Sequence, residues 1–157
     1  MKGIEQLLVV LNTHLADELT AINQYMVHSE MCENWSYGKL PNVIRKQAMD
    51  EMYHAEWLIE RIILFDGIPT VSTLNQMYIG TSVLDMVNND AVDEVDAVKA
   101  YNEAITLARE VQDQATVDLL TKILKMEEGH VDWAEKQQAQ IGSRVLGRIR
   151  KLATNVN

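Results

Sequence analysis

The chain has 157 residues, 47% apolar and 24% charged, enough to bury one continuous core and too short for two ordinary domains. Seven Gly and two Pro exclude collagenous and turn-rich all-β chains, and 23 acidic against 14 basic residues give a net charge of -9, the wrong sign for a nucleic-acid phosphate backbone or an anionic membrane. One cysteine, Cys32, closes no intrachain disulfide, and the apolar run from Leu7 to Leu11 is too short for a signal sequence or a membrane span, so the expectation is a reduced, cytosolic, helical protein that attracts cations.

Four stretches place apolar residues at alternating spacings of three and four, the seam pattern of a helix bundle. The first runs from about Ile4 to Trp35 through Leu11, Leu15, Ile22 and Tyr25, and the second from about Asn42 to Phe65 through Ile44, Ala48, Ala55, Leu58 and Ile62. The third covers about Val83 to Val111 with Val87, Ala91, Val98, Tyr101 and Ile105, and the fourth about Gln114 to Ile141 with Leu120, Leu124, Val131 and Ala134. Short turns at Gly38/Pro41 and near Asp113 make the first two and the last two antiparallel hairpins. Between them Gly67 to Ser82 has no helical period. A helix of about 24 residues spans roughly 36 Å, and about 16 extended residues reach roughly 50 Å, so this strap can cross the bundle lengthwise. Beyond Glu135, the last carboxylate, the Ile141-Gly142-Ser143 sequence predicts a break, with Ser143 capping a short basic helix over about 143–155 that carries Arg144, Arg148, Arg150 and Lys151. The expected fold is an all-α single domain: a four-helix bundle over about 4–141 with one long crossover, and a short fifth C-terminal helix.

Each seam is interrupted once by glutamate, at Glu18, Glu51, Glu94 and Glu127. Four carboxylates meeting in one core repel and lose hydration, so they take up protons or bind a cation. His54 and His130 each follow a seam glutamate by three residues and share its helix face. Adding 76 to Glu18, Glu51 and His54 gives Glu94, Glu127 and His130, and the same offset relates Tyr25 to Tyr101 and Trp57 to Trp133. Two hairpins thus carry one ligand set twice. Four carboxylates and two imidazoles suit a pair of iron or manganese ions, a ligand set known from di-iron helix bundles. His14 and His28 have no glutamate three residues earlier and are expected not to ligate, and Cys32 reads as a buried or interface thiol.

The stretches Asn23-Gln24-Tyr25, Asp50-Glu51-Met52-Tyr53-His54-Ala55, Ile59-Glu60-Arg61-Ile62, Gly67-Ile68-Pro69 and Glu127-Glu128-Gly129-His130-Val131-Asp132-Trp133 make nearly the whole chain resemble the bacterioferritins. The resemblance implies a ferritin-like fold and a homo-oligomeric shell of 24 subunits built from twofold dimers. It implies iron storage and detoxification by a ferroxidase, with Fe(II) oxidised by O2 or H2O2 and Fe(III) passed to a mineral in the cavity. Glu18, Glu51, His54, Glu94, Glu127 and His130 would be the iron ligands, with Glu51 and Glu127 bridging. Tyr25 and Trp133 match residues thought to pass electrons, and a ferredoxin-type donor would serve iron release. Met52 matches the axial ligand of a haem b shared by two subunits. It lies about 100° round the helix from Glu51, toward a flank where Leu19, Ile22, Asn23, Met26, Met49 and Arg45 would form the haem wall, with Arg45 as a cation for a propionate.

Three positions depart from the family. Lys46 replaces a histidine that, with an acidic residue at Asp50, binds iron at the inner wall of some members; Leu58 replaces a tyrosine; and Met126, at Asp50 plus 76, replaces an aspartate. Asp50 is expected to reach His130 across the seam, leaving His54 to water or a backbone carbonyl. The competing expectations are a peroxide-scavenging di-metal bundle resembling rubrerythrin or manganese catalase, and a structural haem-binding oligomer.

Overall fold

The computed structural model describes the backbone of residues 2–154 and the side chains of residues 4–142 and 151. Four helices account for the regular structure among these: α1 (Lys2–Asn34), α2 (Leu40–Leu64), α3 (Val83–Glu110) and α4 (Gln114–Thr154). None is long and apolar enough to cross a membrane. Pro41 falls in the first turn of α2, where its missing N–H costs nothing, so the helix starts earlier than the expected Asn42. The α3 helix starts at Ser82, whose hydroxyl accepts from the Asp85 amide at 3.1 Å. The first three helices stop at residues in the left-handed region, Ser36, Asp66 and Gln112. Behind each, the amides of the next residues turn back onto the last carbonyls, as from Gly67 to Ile62 and from Asp113 to Ala108, both at 2.9 Å.

The expected fifth helix is not separate. The α4 helix runs unbroken through Gly142 and Ser143 to Thr154. A glycine in a helix interior costs only about 1 kcal/mol against alanine, too little to end a helix flanked by good formers on both sides. The side chains of Arg144, Arg148 and Arg150 lie outside the described residues.

Helices α1 and α3 pack antiparallel, since Glu18 meets Tyr101, Tyr25 meets Glu94 and Cys32 meets Met86. The core has two apolar parts. A large one gathers Leu7, Leu11, Leu15, Leu58, Ile62, Ile105, Leu120 and Ile123, and a smaller one gathers Tyr25, Cys32, Ile44, Ala48 and Met86. The four seam glutamates sit between these parts, in low dielectric on either side.

The crossover is held by a polar stripe on α1. Asn12, Thr20, Gln24 and His28 recur at multiples of four and so form a row that winds slowly round the helix. Asn12 Oδ1 accepts from the Thr70 amide at 2.7 Å, Thr20 Oγ1 from Asn75 at 2.9 Å, Gln24 Oε1 from Tyr78 at 3.0 Å and His28 Nε2 from Gly80 at 3.0 Å. The strap therefore ascends alongside α1 and delivers the chain to the start of α3. Gly80 is required there, because a Cβ would lie 2.4 Å from the Met86 amide nitrogen.

Candidate metal centre

Glu18, Glu51, Glu94 and Glu127, one from each helix, converge with His54 and His130 at the level between the two apolar parts, and all six are buried. Their ligand atoms fall into two groups, Glu18, Glu51, His54 and Glu127, and Glu51, Glu94, Glu127 and His130, with every atom of a group within 4.8 Å of the others. Glu51 and Glu127 belong to both. The arrangement reproduces the 76-residue repeat as a local twofold: two positions for a cation, each with one private glutamate and one histidine, and two carboxylates between them.

The histidines present Nδ1 to the carboxylates. His54 Nδ1 lies 2.7 Å from Glu127 and 2.9 Å from Glu51, and His130 Nδ1 lies 3.1 Å from Glu51 and 3.3 Å from Glu94. Tyrosines secure the private glutamates, with the Tyr25 hydroxyl donating to Glu94 and the Tyr101 hydroxyl to Glu18. Tyr101, marked in the sequence only as the repeat mate of Tyr25, thus has the same duty at the other half. Burial and the adjacent Glu94 and Glu18 charges push both phenols well above their ordinary value, so each remains a donor. Glu51 Oε1, Glu127 Oε1 and His130 Nδ1 are buried with no satisfied hydrogen bond, although opposite charges lie near them. Buried acceptors without a hydrogen bond, each beside an imidazole nitrogen, are what a cation would satisfy, and the oxygen-rich set with two imidazoles fits iron or manganese.

Without a cation the site holds protons. Burial, reinforced by the Glu18 and Glu127 charges, raises the Glu51 carboxyl well above its usual range, and burial raises Glu94, which donates to Glu127. Burial also opposes ionisation of Glu127, but hydrogen bonds from Glu94, His130 and His54 outweigh it and hold that carboxyl low. Desolvation alone would lower both imidazoles; hydrogen bonds to Glu127, Glu18 and Glu51 instead push His54 up to about 12, and His130 rises likewise through Glu127, Glu51 and Glu94. A metal ion must displace these protons. Zn(II) binding to the metal-free protein is accordingly expected to release protons and to strengthen as pH rises, because the protons that compete with the metal for these raised groups become scarcer. Calorimetry in buffers of different ionisation enthalpy measures this, and binding without proton release would contradict the assignment.

The outward nitrogens separate the two halves. His130 Nε2 lies 3.1 Å from Asp50 Oδ2, the expected partner across the seam. The expected partner of His54 Nε2 is water or a backbone carbonyl; the structure instead sets Met126 Sδ against it at 3.3 Å. Met126 follows the seam position of Leu124 by two residues and is half-buried, and its thioether is the partner of that nitrogen. Lys46 Nζ lies 3.2 Å from Asp50 Oδ2. An ammonium thus stands where the inner-wall iron of some bacterioferritins would need a ligand.

His14 and His28 lie apart from both groups. His14 packs on the Tyr101 ring, with centroids 4.2 Å apart, and His28 Nδ1 lies 3.0 Å from Asp90 while its other nitrogen accepts from Gly80. A cavity of about 240 Å³ leads from Asn75 on the strap past Asp17 and Asp93 to the four glutamates.

The expected haem flank is on the surface. Met52, Met49 and Met26 are 39%, 42% and 51% exposed, and Arg45 pairs with Glu33 at 2.8 Å and Glu30 at 3.1 Å. Leu19 and Ile22 are half-buried against the large core, and the Asn23 amide donates to the Leu19 carbonyl. Exposed thioethers on adjacent helices suit a group held between two copies of the chain.

The ferritin-like domain family matches residues 9–143. The chain is similar to the bacterioferritin of Mycobacterium leprae, with 38% identity over 90% of this chain and 89% of the relative, and to that of Brucella melitensis, with 35% identity over 95% and 94%. The solved structure of Mycobacterium tuberculosis bacterioferritin, BfrA, superposes with a TM-score of 0.86 at 37% identity, covering 88% of this chain and 87% of that one.

Proposed function

This chain belongs to the bacterioferritins, and from that membership we propose that it is a ferroxidase and iron store, one ferritin-like domain whose four helices oxidise Fe(II) and pass Fe(III) to a mineral inside a closed shell of 24 copies. Family membership and the buried carboxylate–histidine groups support iron storage and metal binding. The observation that carries the oxidase reading is the pair of four-ligand groups sharing Glu51 and Glu127. Carboxylates common to two cation positions suit two ions that act together, as two-electron chemistry requires.

The residues divide the work. Asp17 and Asp93 give the cavity mouth a negative potential that draws Fe(II) inward. Glu18 and His54 would hold one ion and Glu94 and His130 the other, with Glu51 and Glu127 between them, and the pair supplies two electrons to O2 or H2O2. Tyr101 engages Glu18 Oε1 and leaves Oε2 toward His54, 3.5 Å away, whereas the Glu94 oxygen that Tyr25 engages is also the one that faces His130, so each tyrosine holds its private glutamate at the centre. Asp50 accepts from His130 Nε2, fixing the tautomer that presents Nδ1 to the metal. The apolar residues above and below exclude bulk water from the charges.

Met52 would supply one axial thioether to a haem b whose second comes from a partner subunit, and the bound haem would supply an electron path between the outside and the store. Met52→Leu is expected to lose the haem completely while Fe(II) oxidation persists. A Soret band of full intensity in that variant would give the haem to another residue, Met26 and Met49 first.

The function is tested by anaerobic loading with Fe(II), exposure to oxygen, and mass measurement of the same sample. The expected result is oxidation saturating at two Fe(II) per chain in a particle of about 430 kDa, the mass of 24 chains of 17.8 kDa. A dimer that turns over peroxide and retains no iron would instead place the chain's chemistry with the peroxide-scavenging bundles.

A further inference from the structure

We propose that Met126 is a modification site for hydrogen peroxide, whose sulfoxide becomes the hydrogen-bond acceptor that His54 lacks. The inference rests on the two-metal reading of the centre. Both imidazoles turn Nδ1 inward, so in each metal-bound form Nε2 carries the hydrogen and points outward. At His130 that hydrogen meets Asp50, 3.1 Å away, and at His54 it meets the Met126 sulfur, 3.3 Å away. A carboxylate outside a ligating imidazole fixes its orientation and raises its basicity; a thioether is a weak acceptor and does little of either.

Oxidation alters that contact without a new residue. In the reaction the sulfur lone pair attacks one oxygen of hydrogen peroxide, the O–O bond breaks, and a proton passes to the departing oxygen, which leaves as water. The sulfur is oxidised by two electrons and the peroxide is reduced by two. The product carries a polar S=O oxygen, and because the sulfur already lies 3.3 Å from His54 Nε2, the half-buried side chain turns back so that this oxygen takes the place of the sulfur against the N–H. Met126 is half-buried and one imidazole ring away from the place where two Fe(II) ions would reduce O2 to hydrogen peroxide, whereas Met26, Met49 and Met52 are exposed but on the other flank. Peroxide released at the centre therefore meets Met126 at higher local concentration than it meets the surface thioethers. The modification is reversible by methionine sulfoxide reductases, so it can report and adjust to peroxide produced during turnover.

The test uses the full assembled protein. Fe(II) and oxygen are supplied for repeated turnovers with catalase in the surrounding solution, and peptides are mapped by mass. The expected result is a one-oxygen gain at Met126 ahead of Met26, Met49 and Met52, while metal-free protein in bulk peroxide oxidises the three exposed residues first. Iron is then removed and Zn(II) titrated. The weaker of the two sites is expected to tighten by about tenfold in the oxidised protein, to return after treatment with the reductase, and to remain unchanged in Met126→Leu carried through the same turnovers. An unmodified Met126 after turnover, or a modified Met126 with unchanged Zn(II) affinity, overturns the proposal. Fewer than two Zn(II) per chain in the untreated protein overturns the two-metal reading, and the proposal with it.

Discussion

Glu127→Ala is expected to abolish binding of both metal ions, not one. Glu127 belongs to both ligand groups and is the carboxylate that its neighbours hold ionised, with His54 Nδ1 2.7 Å and His130 Nδ1 3.7 Å from its oxygens. Its removal leaves each position with three ligand residues and leaves two imidazoles in a buried site with less negative charge to retain them. Loss of an outer partner alone costs 10- to 100-fold in metal affinity, so loss of a shared ligand should exceed about 100-fold at both positions. Rapid Fe(II) oxidation should vanish with it. The helices should survive, because the apolar parts on either side of the site are untouched. Titration with Co(II) or Zn(II), with far-UV circular dichroism as the folding control, gives the answer; retention of one ion at full affinity would mean that Glu127 serves only one position.

The second large effect is on the strap. Asp90 accepts from Gln24 Nε2 at 2.8 Å and faces His28 Nδ1 at 3.0 Å, and all three side chains are buried. Asp90→Ala would leave the buried His28 N–H without its acceptor and the Gln24 amide with Asp93 alone, at 2.7 Å, and both residues also hold strap amides, those of Tyr78 and Gly80. Breaking a buried network of this kind costs about 3 kcal/mol, which for a chain of this length lowers the Tm by roughly 10 °C. Hydrogen exchange should accelerate at the Tyr78 and Gly80 amides in particular. An unchanged Tm together with protected Gly80 would show that the strap is held by other contacts.

The convergence of the six residues was legible in the sequence because charge in a helix seam is a strong anomaly and the 76-residue offset states it twice. The pairing of Asp50 with His130 was legible for a related reason: hairpin geometry places a residue on α2 closer to the facing helix than to its own histidine. The partner of His54 was not. Whether a methionine turns its sulfur toward a ring nitrogen or packs away from it depends on rotamers in a half-buried gap, and no periodicity records that. The strap's docking stripe was present as Asn12, Thr20, Gln24 and His28, but polar residues four apart look the same on a solvated helix face as on one that receives a loop. His28 shows the difference. It is fully buried, and a loop amide and an acid from another helix satisfy its two nitrogens. Gly142 and Ser143 misled in the opposite direction, since residues that often end helices are tolerated inside one when nothing favours an alternative path.

The central claim is that six named residues hold two metal ions in one bundle. Anomalous scattering from crystals loaded anaerobically with Fe(II) measures this directly. Two peaks per chain are expected, about 3.5 to 4 Å apart, with Glu51 and Glu127 bound to both, Glu18 and His54 to one, and Glu94 and His130 to the other. A single peak, or iron bound elsewhere while these six side chains remain paired only with one another, would contradict the account.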